Sequence, residues 1–527
     1  MVAEKASTPP TPPDQIAALL QKFIDEQPAA VLVENGRILF DLRLSSATVV
    51  AEHGHCVFHV WSEQRDLVRN VVDITVRKTG LRLHVLRMGQ TRPQTMELQP
   101  QQRRLPSQRE TTRTKFIPLL ERVLPRYFPD QKVEALRTAM DLERSFGPAY
   151  ARGMLVRGSS AWAVIAINGE ESQALIDGAL TLGVLWLHHC REQSGGRRVV
   201  EGLRLILPRG KSSVIAARLR WMNRRAANWE LYELDEKTEE LYLRDPESQG
   251  NLDSHLIHAP NTAAAQDRFF PAIERVRALL PAGAAEQMEI VFRSGSEVVL
   301  LWNGLEFAHI ETAVAENFSR TEEILFGSGA HATRLTDESA PKLRELVAQL
   351  ILRRQANGDK RDPLYRQQPE RWLESLLRRS PDTVDAMIEP QPLYAQVPAF
   401  SAADRAVLDL LAVRRDGRLV VIEIKADEDL HLALQALDYW VRVRRHHQPA
   451  AGPNLQSDLE RFGYFPGRQL RPEAPLLYLV APALRIHPAT EIVLRYISAE
   501  VDWTLIALDE RWREKVRVVF RKRATKS

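Results

Sequence analysis

The chain has only two cysteines in 527 residues, Cys56 and Cys190. That excludes a disulfide framework and suits a reducing compartment. It also lacks a strong charge imbalance. With 72 Lys and Arg against 68 Asp and Glu, the net charge of +4 is too small to identify a polyanion binder, and the pI near 9.0 only leans that way. No apolar run is long enough to span a bilayer, since the longest, Ala174 to Leu187, is short and contains Asp177. The start, Met1-Val2-Ala3-Glu4-Lys5, lacks the charged-then-apolar layout of a signal peptide. These absences predict a cytoplasmic protein with no membrane partner. A phosphate-cradling Gly-x-x-x-x-Gly-Lys loop is missing too, which argues against a built-in ATP motor, and no serine or cysteine nucleophile motif stands out.

What is present is an ordinary globular composition, 44% apolar and 27% charged. Its length exceeds what one hydrophobic core supports, so several domains are expected. Polar stretches at 100–113, 245–265 and Arg353 to Gln368 read as linkers. They delimit a proline-rich disordered tail (1–13), a small α/β domain (14–100), a block at 114–245, a second small α/β domain (269–352) and a final block at 369–527. A helix capped by Asp14 opens the first domain, and β-rich stretches such as Cys56–Trp61 follow.

The two larger blocks share an ordered set of features. Leu219-Arg220-Trp221 followed by Trp229-x-Leu-x-x-Leu234-Asp235-Glu236 matches Leu494-Arg495-Tyr496 followed by Trp503-x-Leu-x-x-Leu508-Asp509-Glu510. Leu203 to Pro208 resembles Leu476 to Pro482, and upstream helices end in His188-His189 and His446-His447. A hairpin pattern precedes each helix. Duplication of one α/β domain explains all four matches, and the first small domain weakly resembles the second.

The informative segment is Val407-Leu-Asp409-Leu-Leu-Ala-Val-Arg-Arg-Asp416-Gly417-Arg-Leu-Val-Val-Ile-Glu423-Ile-Lys425. Asp-Gly between β-branched runs signals a hairpin, and its turn length decides which side chains meet. A two-residue loop would send Asp409 and Glu423 to opposite faces. A three-residue loop with Gly417 left-handed pairs Arg414 with Arg418, sets Asp409 across from Glu423, and leaves Leu408, Leu410, Ala412, Val420, Ile422 and Ile424 on an apolar face. The second register is predicted. Two carboxylates ~5 Å apart on paired strands suit a shared hard cation such as Mg²⁺, with Lys425 placed to orient a water or meet charge developing on a phosphate.

Asp409 followed by Glu423-Ile-Lys425 on the next strand resembles the signature of the PD-(D/E)xK nuclease superfamily, and the surrounding residues are similar to NucS-type and RecB-like endonucleases. Gln435-Ala-Leu-Asp-Tyr439 resembles the Gln-x-x-x-Tyr helix motif of the RecB-like branch, and Arg371-Trp-Leu-Glu374 resembles the helix that supplies a further acid. By helical wheel, Glu374 lies off the Trp372, Leu373, Leu376, Leu377 stripe, which leaves it between site and solvent. The resemblance covers residues 369 to 485. It implies a restriction-endonuclease-like mixed sheet flanked by helices, with Asp409 and Glu423 holding Mg²⁺ or Mn²⁺, Lys425 assisting water attack, and Gln435, Tyr439 and Glu374 supporting the substrate.

An ungapped alignment of the two blocks puts Arg152, Ala166 and Asn168 where the second has Asp409, Glu423 and Lys425. The first copy then reads as a degenerate nuclease domain. Its Arg209, Lys211, Arg218, Arg220, Arg224 and Arg225 are candidate phosphate contacts, and the basic end, Arg511 to Lys526, reads as an edge strand. Three consecutive residues, His188-His189-Cys190, rarely converge on one zinc and read as a helix end. The sequence thus predicts a metal-dependent nuclease acting on DNA, possible as a homodimer, with RNA an open substrate. The competing expectation is an inactive nucleic-acid-binding scaffold that keeps the fold.

Overall fold

The computed structural model describes residues 12–524 apart from 29, 35–36, 44, 53, 63–64, 78–79, 87–92, 101–107, 139–145, 247–255, 260–261, 282, 315–319, 328–331, 399–406 and 449–455. Most of the proline-rich tail and much of the first two polar stretches therefore lie outside the described residues. The chain forms two compact units, one within Met1–Ser107 and one from Gln108 onward. In the first, helix Pro13–Glu26 buries Ile16 and Leu20 against Phe58, Val60 and Leu83 of a seven-stranded antiparallel sheet. Pro12 rather than Asp14 occupies the cap position, and Asp14 lies in the first turn, where its charge meets the positive end of the helix dipole.

Among its described residues the second unit has three sheets. One is a five-stranded antiparallel meander from Glu289–Ser294 to Thr333–Arg334, cored by Phe269, Leu300, Phe307 and Leu343. The other two are six-stranded and mixed. The first holds β1 (Lys132–Arg137), β2 (Tyr150–Arg157), β3 (Ser160–Ile167), β4 (Val199–Pro208), β5 (Asn228–Asp235) and β6 (Glu240–Arg244). The second holds β7 (Tyr394–Pro398), β8 (Val407–Val413), β9 (Leu419–Ile424), β10 (Leu476–Pro482), β11 (Trp503–Leu508) and β12 (Val518–Arg523). In both sheets the strands lie in chain order, and successive pairs run antiparallel, antiparallel, parallel, parallel, antiparallel.

The helices repeat as well. One precedes the first strand, α1 (Gln108–Tyr127) against α4 (Pro369–Arg379). A long one joins the third and fourth strands, α2 (Gln173–Ser194) against α5 (Leu432–His447). A short one joins the fourth and fifth, α3 (Ser213–Leu219) against α6 (Pro488–Arg495). The chain is a mixed α/β protein, and among the described residues no helix is long and apolar enough to cross a membrane.

Strand β9, Leu-Val-Val-Ile-Glu-Ile, is buried at every residue. It sits between an antiparallel and a parallel neighbour, a setting that favours a continuous β-branched run over alternation. The β8–β9 turn is the three-residue one. Arg414 N–H donates to Arg418 O at 2.9 Å, Gly417 N–H to Arg414 O at 2.8 Å, and Gly417 has φ +84°. The ladder runs from Val413↔Leu419 to Leu410↔Ile422, the predicted register. One detail differs. Leu410, Ala412, Val420, Ile422 and Ile424 pack with Trp372 and Leu377 of α4, whereas Leu408 joins the opposite layer with α5. That opposite face is apolar too, filled by Leu411, Val413, Leu419 and Val421, so Asp409 and Glu423 occupy the end of an otherwise hydrophobic surface.

The polar stretch from Arg353 to Gln368 is a packed connection rather than a free linker. Arg354 is 0% exposed and donates to the carbonyls of Asn303, Leu364, Gln367 and Gln368. It joins the meander hairpin to the start of α4. Beside it, a Cβ added to Gly304 would stand 2.1 Å from Arg371 O. Part of the 100–113 stretch is likewise helical, because α1 begins at Gln108.

Replacing Gly417 tests the turn. A side chain there must adopt a left-handed conformation and would place its Cβ 2.5 Å from Gln469 O. We expect Gly417→Ala to lower stability in chemical denaturation by about 2 kcal/mol or more. Gly467→Ala has a similar φ of +73° but open space, so it should cost only about 1 kcal/mol.

Candidate active site

The β8–β9 ladder stops at Leu410, and Asp409 takes over with its side chain. Asp409 Oδ2 accepts the backbone N–H of Ile424 at 2.8 Å, which fixes the carboxylate over the end of β9. Glu423 and Lys425 are two residues apart on the extended chain and therefore share a face. Lys425 Nζ lies 3.4 Å from Glu423 Oε1, 3.8 Å from Asp429 Oδ2 and 3.9 Å from Glu370 Oε1. The carboxyls of Asp409 and Glu423 line the same cavity and act on each other electrostatically.

Burial sets the electrostatics. Glu423 is 2% exposed, and its Oε2 has no hydrogen-bond partner among the described residues. Burial, then the neighbouring Asp409 charge, pushes the Glu423 carboxyl well above the usual range. Burial likewise raises Asp409, against the opposing pull of the Ile424 N–H and of Lys425. Two ionised carboxylates repel each other here, and Lys425 offsets that repulsion only in part. Lys425 resists burial through Glu423, Glu370, Asp429 and Asp409, which together hold it as an ammonium.

These groups open into a cavity of about 470 Å³, lined by Glu370, Arg371, Glu374, Asp409, Glu423, Lys425, Asp427 and Tyr439 among others. The structure thus brings together the predicted Asp409, Glu423, Lys425, Tyr439 and Glu374. Glu374 is 5% exposed and its Oε2 is 3.4 Å from Arg371 Nη1, which resolves its position in favour of the site. The short α4 is covered on two sides, by the core below its Trp372 stripe and by the cavity wall. Gln435 is half-buried one helical turn before Tyr439 but does not line the cavity. The Tyr439 phenol is held protonated by burial and by the Glu423 and Asp409 charges.

Sequence reasoning missed Glu370, Arg371, Asp427 and Asp429. The available signal was Glu370 with Glu374, an i,i+4 pair that shares one face of α4. The basic residues assigned to phosphate contacts in the first copy divide. Arg218 is buried and bridges Asp438 with two bonds, of 2.8 and 2.7 Å, Lys211 Nζ donates to Gly169 O at 2.7 Å and Arg209 pairs with Asp235 at 3.1 Å. Arg220, Arg224 and Arg225 are exposed. The second histidine pair ends α5, where His447 Nε2 meets Arg471 O at 2.6 Å and His446 Nδ1 lies 3.1 Å from Asp458.

Strand pairing corrects the comparison between copies. Pro208 pairs with Leu234 and Pro482 with Leu508, so counting back makes Leu205 and Leu479 equivalent. Ile165 pairs with Leu205, and Glu423 with Leu479. Ile165 and Ile167 therefore stand where the second copy has Glu423 and Lys425, one residue away from the Ala166 and Asn168 of the ungapped alignment. The cause is turn length. The first hairpin turns in two residues, with Arg157 paired to Ser160, against three in the second. Arg152 faces Ile165 across the strands and does replace Asp409. It is 1% exposed, with its guanidinium 4.5 Å from the Phe146 ring centroid.

The donor set fits a hard divalent ion. Asp409 and Glu423 supply carboxylate oxygens, one of them buried without a partner, and Mg²⁺ typically takes one or two carboxylates with water and phosphate oxygens. No group of three or more His, Cys, Asp or Glu side chains in metal-holding geometry occurs among the described residues, so the protein itself offers the pair rather than a closed cage. No protein-family model, curated protein or solved structure matches the chain.

The raised carboxyl pair predicts a stability signature. A group whose folded pKa lies above its unfolded value contributes stability below the unfolded value, about 4 for Asp and Glu, and loses it as pH rises through the folded value. At neutral pH the wild-type pair is therefore a liability that Asp409→Asn removes. We expect that variant to melt a few degrees higher than wild type at pH 7–8 without divalent ions, and the gap to close toward pH 4. Added Mg²⁺ or Mn²⁺ should raise the wild-type melting temperature but not the variant's, read by thermal denaturation.

Proposed function

We propose that the chain is a divalent-metal-dependent nuclease that hydrolyses phosphodiester bonds in DNA. The reading rests above all on one observation: the half-buried Asp409 and the buried Glu423 line one cavity with the Lys425 ammonium 3.4 Å from Glu423. The strand order and senses of the second sheet, with helices on both faces, agree with a restriction-endonuclease-like domain of the PD-(D/E)xK class, and the first sheet with a degenerate copy of it.

In this reading Asp409 and Glu423 hold Mg²⁺ or Mn²⁺, which when bound would polarise the phosphodiester and ease deprotonation of a water. The Ile424 N–H fixes Asp409 toward the cavity. Lys425, surrounded by three carboxylates within 4 Å, acts as a donor, aligning the attacking water and stabilising charge on the phosphoryl oxygens. It is not the base. Arg371 and Tyr439 line the same cavity and are placed to contact the substrate. The water oxygen bonds to phosphorus as the water gives up a proton to solvent, the P–O ester bond breaks, and the leaving oxygen takes up a proton from solvent. Exposed Arg220, Arg224 and Arg225, together with edge strand β12 and its Arg521, Lys522 and Arg523, would supply sequence-independent backbone contacts.

The test is cleavage of single-stranded, flapped and duplex DNA and of RNA, with Mg²⁺, with Mn²⁺ and with chelator. Cleavage of DNA should require the ion and disappear in Asp409→Ala and Glu423→Gln, with the fold retained by circular dichroism. Lys425→Met should slow it by about 10²–10³-fold, the usual loss for one transition-state donor. Cleavage that persists in Asp409→Ala would remove the assignment, and preferential cleavage of RNA would reassign the substrate.

A further inference from the structure

We infer that the chain is a built-in dimer with a single hydrolytic centre, and that on duplex DNA it therefore cuts one strand per encounter and releases a nicked product. The inference rests on the nuclease reading above and adds to it the form of substrate and product.

The two halves meet as subunits of a twofold dimer do. The repeat Leu219-Arg220-Trp221 and Leu494-Arg495-Tyr496 makes Met222 equivalent to Ile497 and Asn223 equivalent to Ser498. Met222 and Ile497 form an antiparallel bridge with each other. Asn223 N–H donates to Tyr496 O at 2.7 Å, and Ser498 N–H donates to Trp221 O at 2.7 Å. Each half thus gives its partner the bond that it receives from it. Such self-complementary pairing of equivalent residues is the mark of an isologous interface, here formed within one chain.

The contact is extensive and buried. Trp221 packs edge-on against Trp440 at 4.9 Å, Arg444 lies over the Trp221 ring at 4.6 Å, and Arg218 grips Asp438 with two bonds. Leu187 and Trp186 of α2 share one core with Leu437 and Trp440 of α5. The surface that makes this twofold-like contact in the second half is therefore already taken by the chain's own first half.

That half cannot hydrolyse. A cation, Arg152, replaces Asp409, and Ile165 and Ile167 replace Glu423 and Lys425. A water is added at one phosphorus and one ester bond is lost, so the complementary strand keeps its bonds. The equivalent Arg220 and Arg495 are both exposed beside the twofold contact, one cation from each half for a duplex lying across it.

Supercoiled plasmids, intact or carrying one mismatch or flap, separate the possibilities when incubated with excess protein and Mg²⁺ or Mn²⁺. Open circles should accumulate before any linear form, and the sedimenting species should have the mass of one 60.0 kDa chain. Linear DNA arising in the first turnover without a circular intermediate would overturn the inference while leaving the nuclease reading intact. An active species of two chains would overturn it as well. If the wild-type chain left every plasmid uncut with either ion while cleaving single-stranded DNA or RNA, the inference would fail and the nuclease reading would stand; if it cut none of these substrates, both would fail.

Discussion

Two carboxyl groups forced together in a hydrophobic sheet are the constraint around which the second half of this protein is arranged. Strands β8 and β9 are apolar on both faces except at Asp409 and Glu423. Burying like charges is costly unless something opposite in sign is brought in. The chain brings in part of it, through Lys425 and the Ile424 N–H, and leaves Glu423 Oε2 unmatched. Further acids at Glu370 and Asp429 hold the lysine in place from the other side. The site is thus under-neutralised for its depth, a condition that the proposed cation would relieve.

The first half shows the same scaffold relieved of that condition. It has isoleucines at the two β3 positions and Arg152 stacked on aromatic rings, so the paired carboxyls are gone. Strand order, strand senses and helix placement survive the change, so these depend on the apolar framework and not on the charged residues. The polar groups of the second half are an addition to a fold that stands without them.

Much of this was legible in the chain itself, for identifiable reasons. The period of two and the Asp416-Gly417 pair left a single hairpin register that grouped charge with charge, and that register is the one observed. What failed were inferences that depend on length or on partners distant in sequence. An ungapped alignment cannot see that one hairpin turns in two residues and the other in three. A helical wheel for α4 scores one buried stripe, whereas this helix is covered on two sides, which is why Glu374 was ambiguous and Glu370 missed. The stretch from Arg353 to Gln368 is polar, yet Arg354 buries itself among backbone carbonyls that no composition window registers.

That arginine has a mechanical meaning. Arg354 and the Asn303-Gly304 turn together form an abutment, in which the meander hairpin bears directly on the backbone of Arg371 at the first turns of α4. This is the helix that carries Glu370 and Glu374 into the cavity wall. The helix that lines the site is therefore braced by a neighbouring sheet. A chain beginning at residue 369 would lack that brace at the turn of helix that carries Glu370 and Glu374.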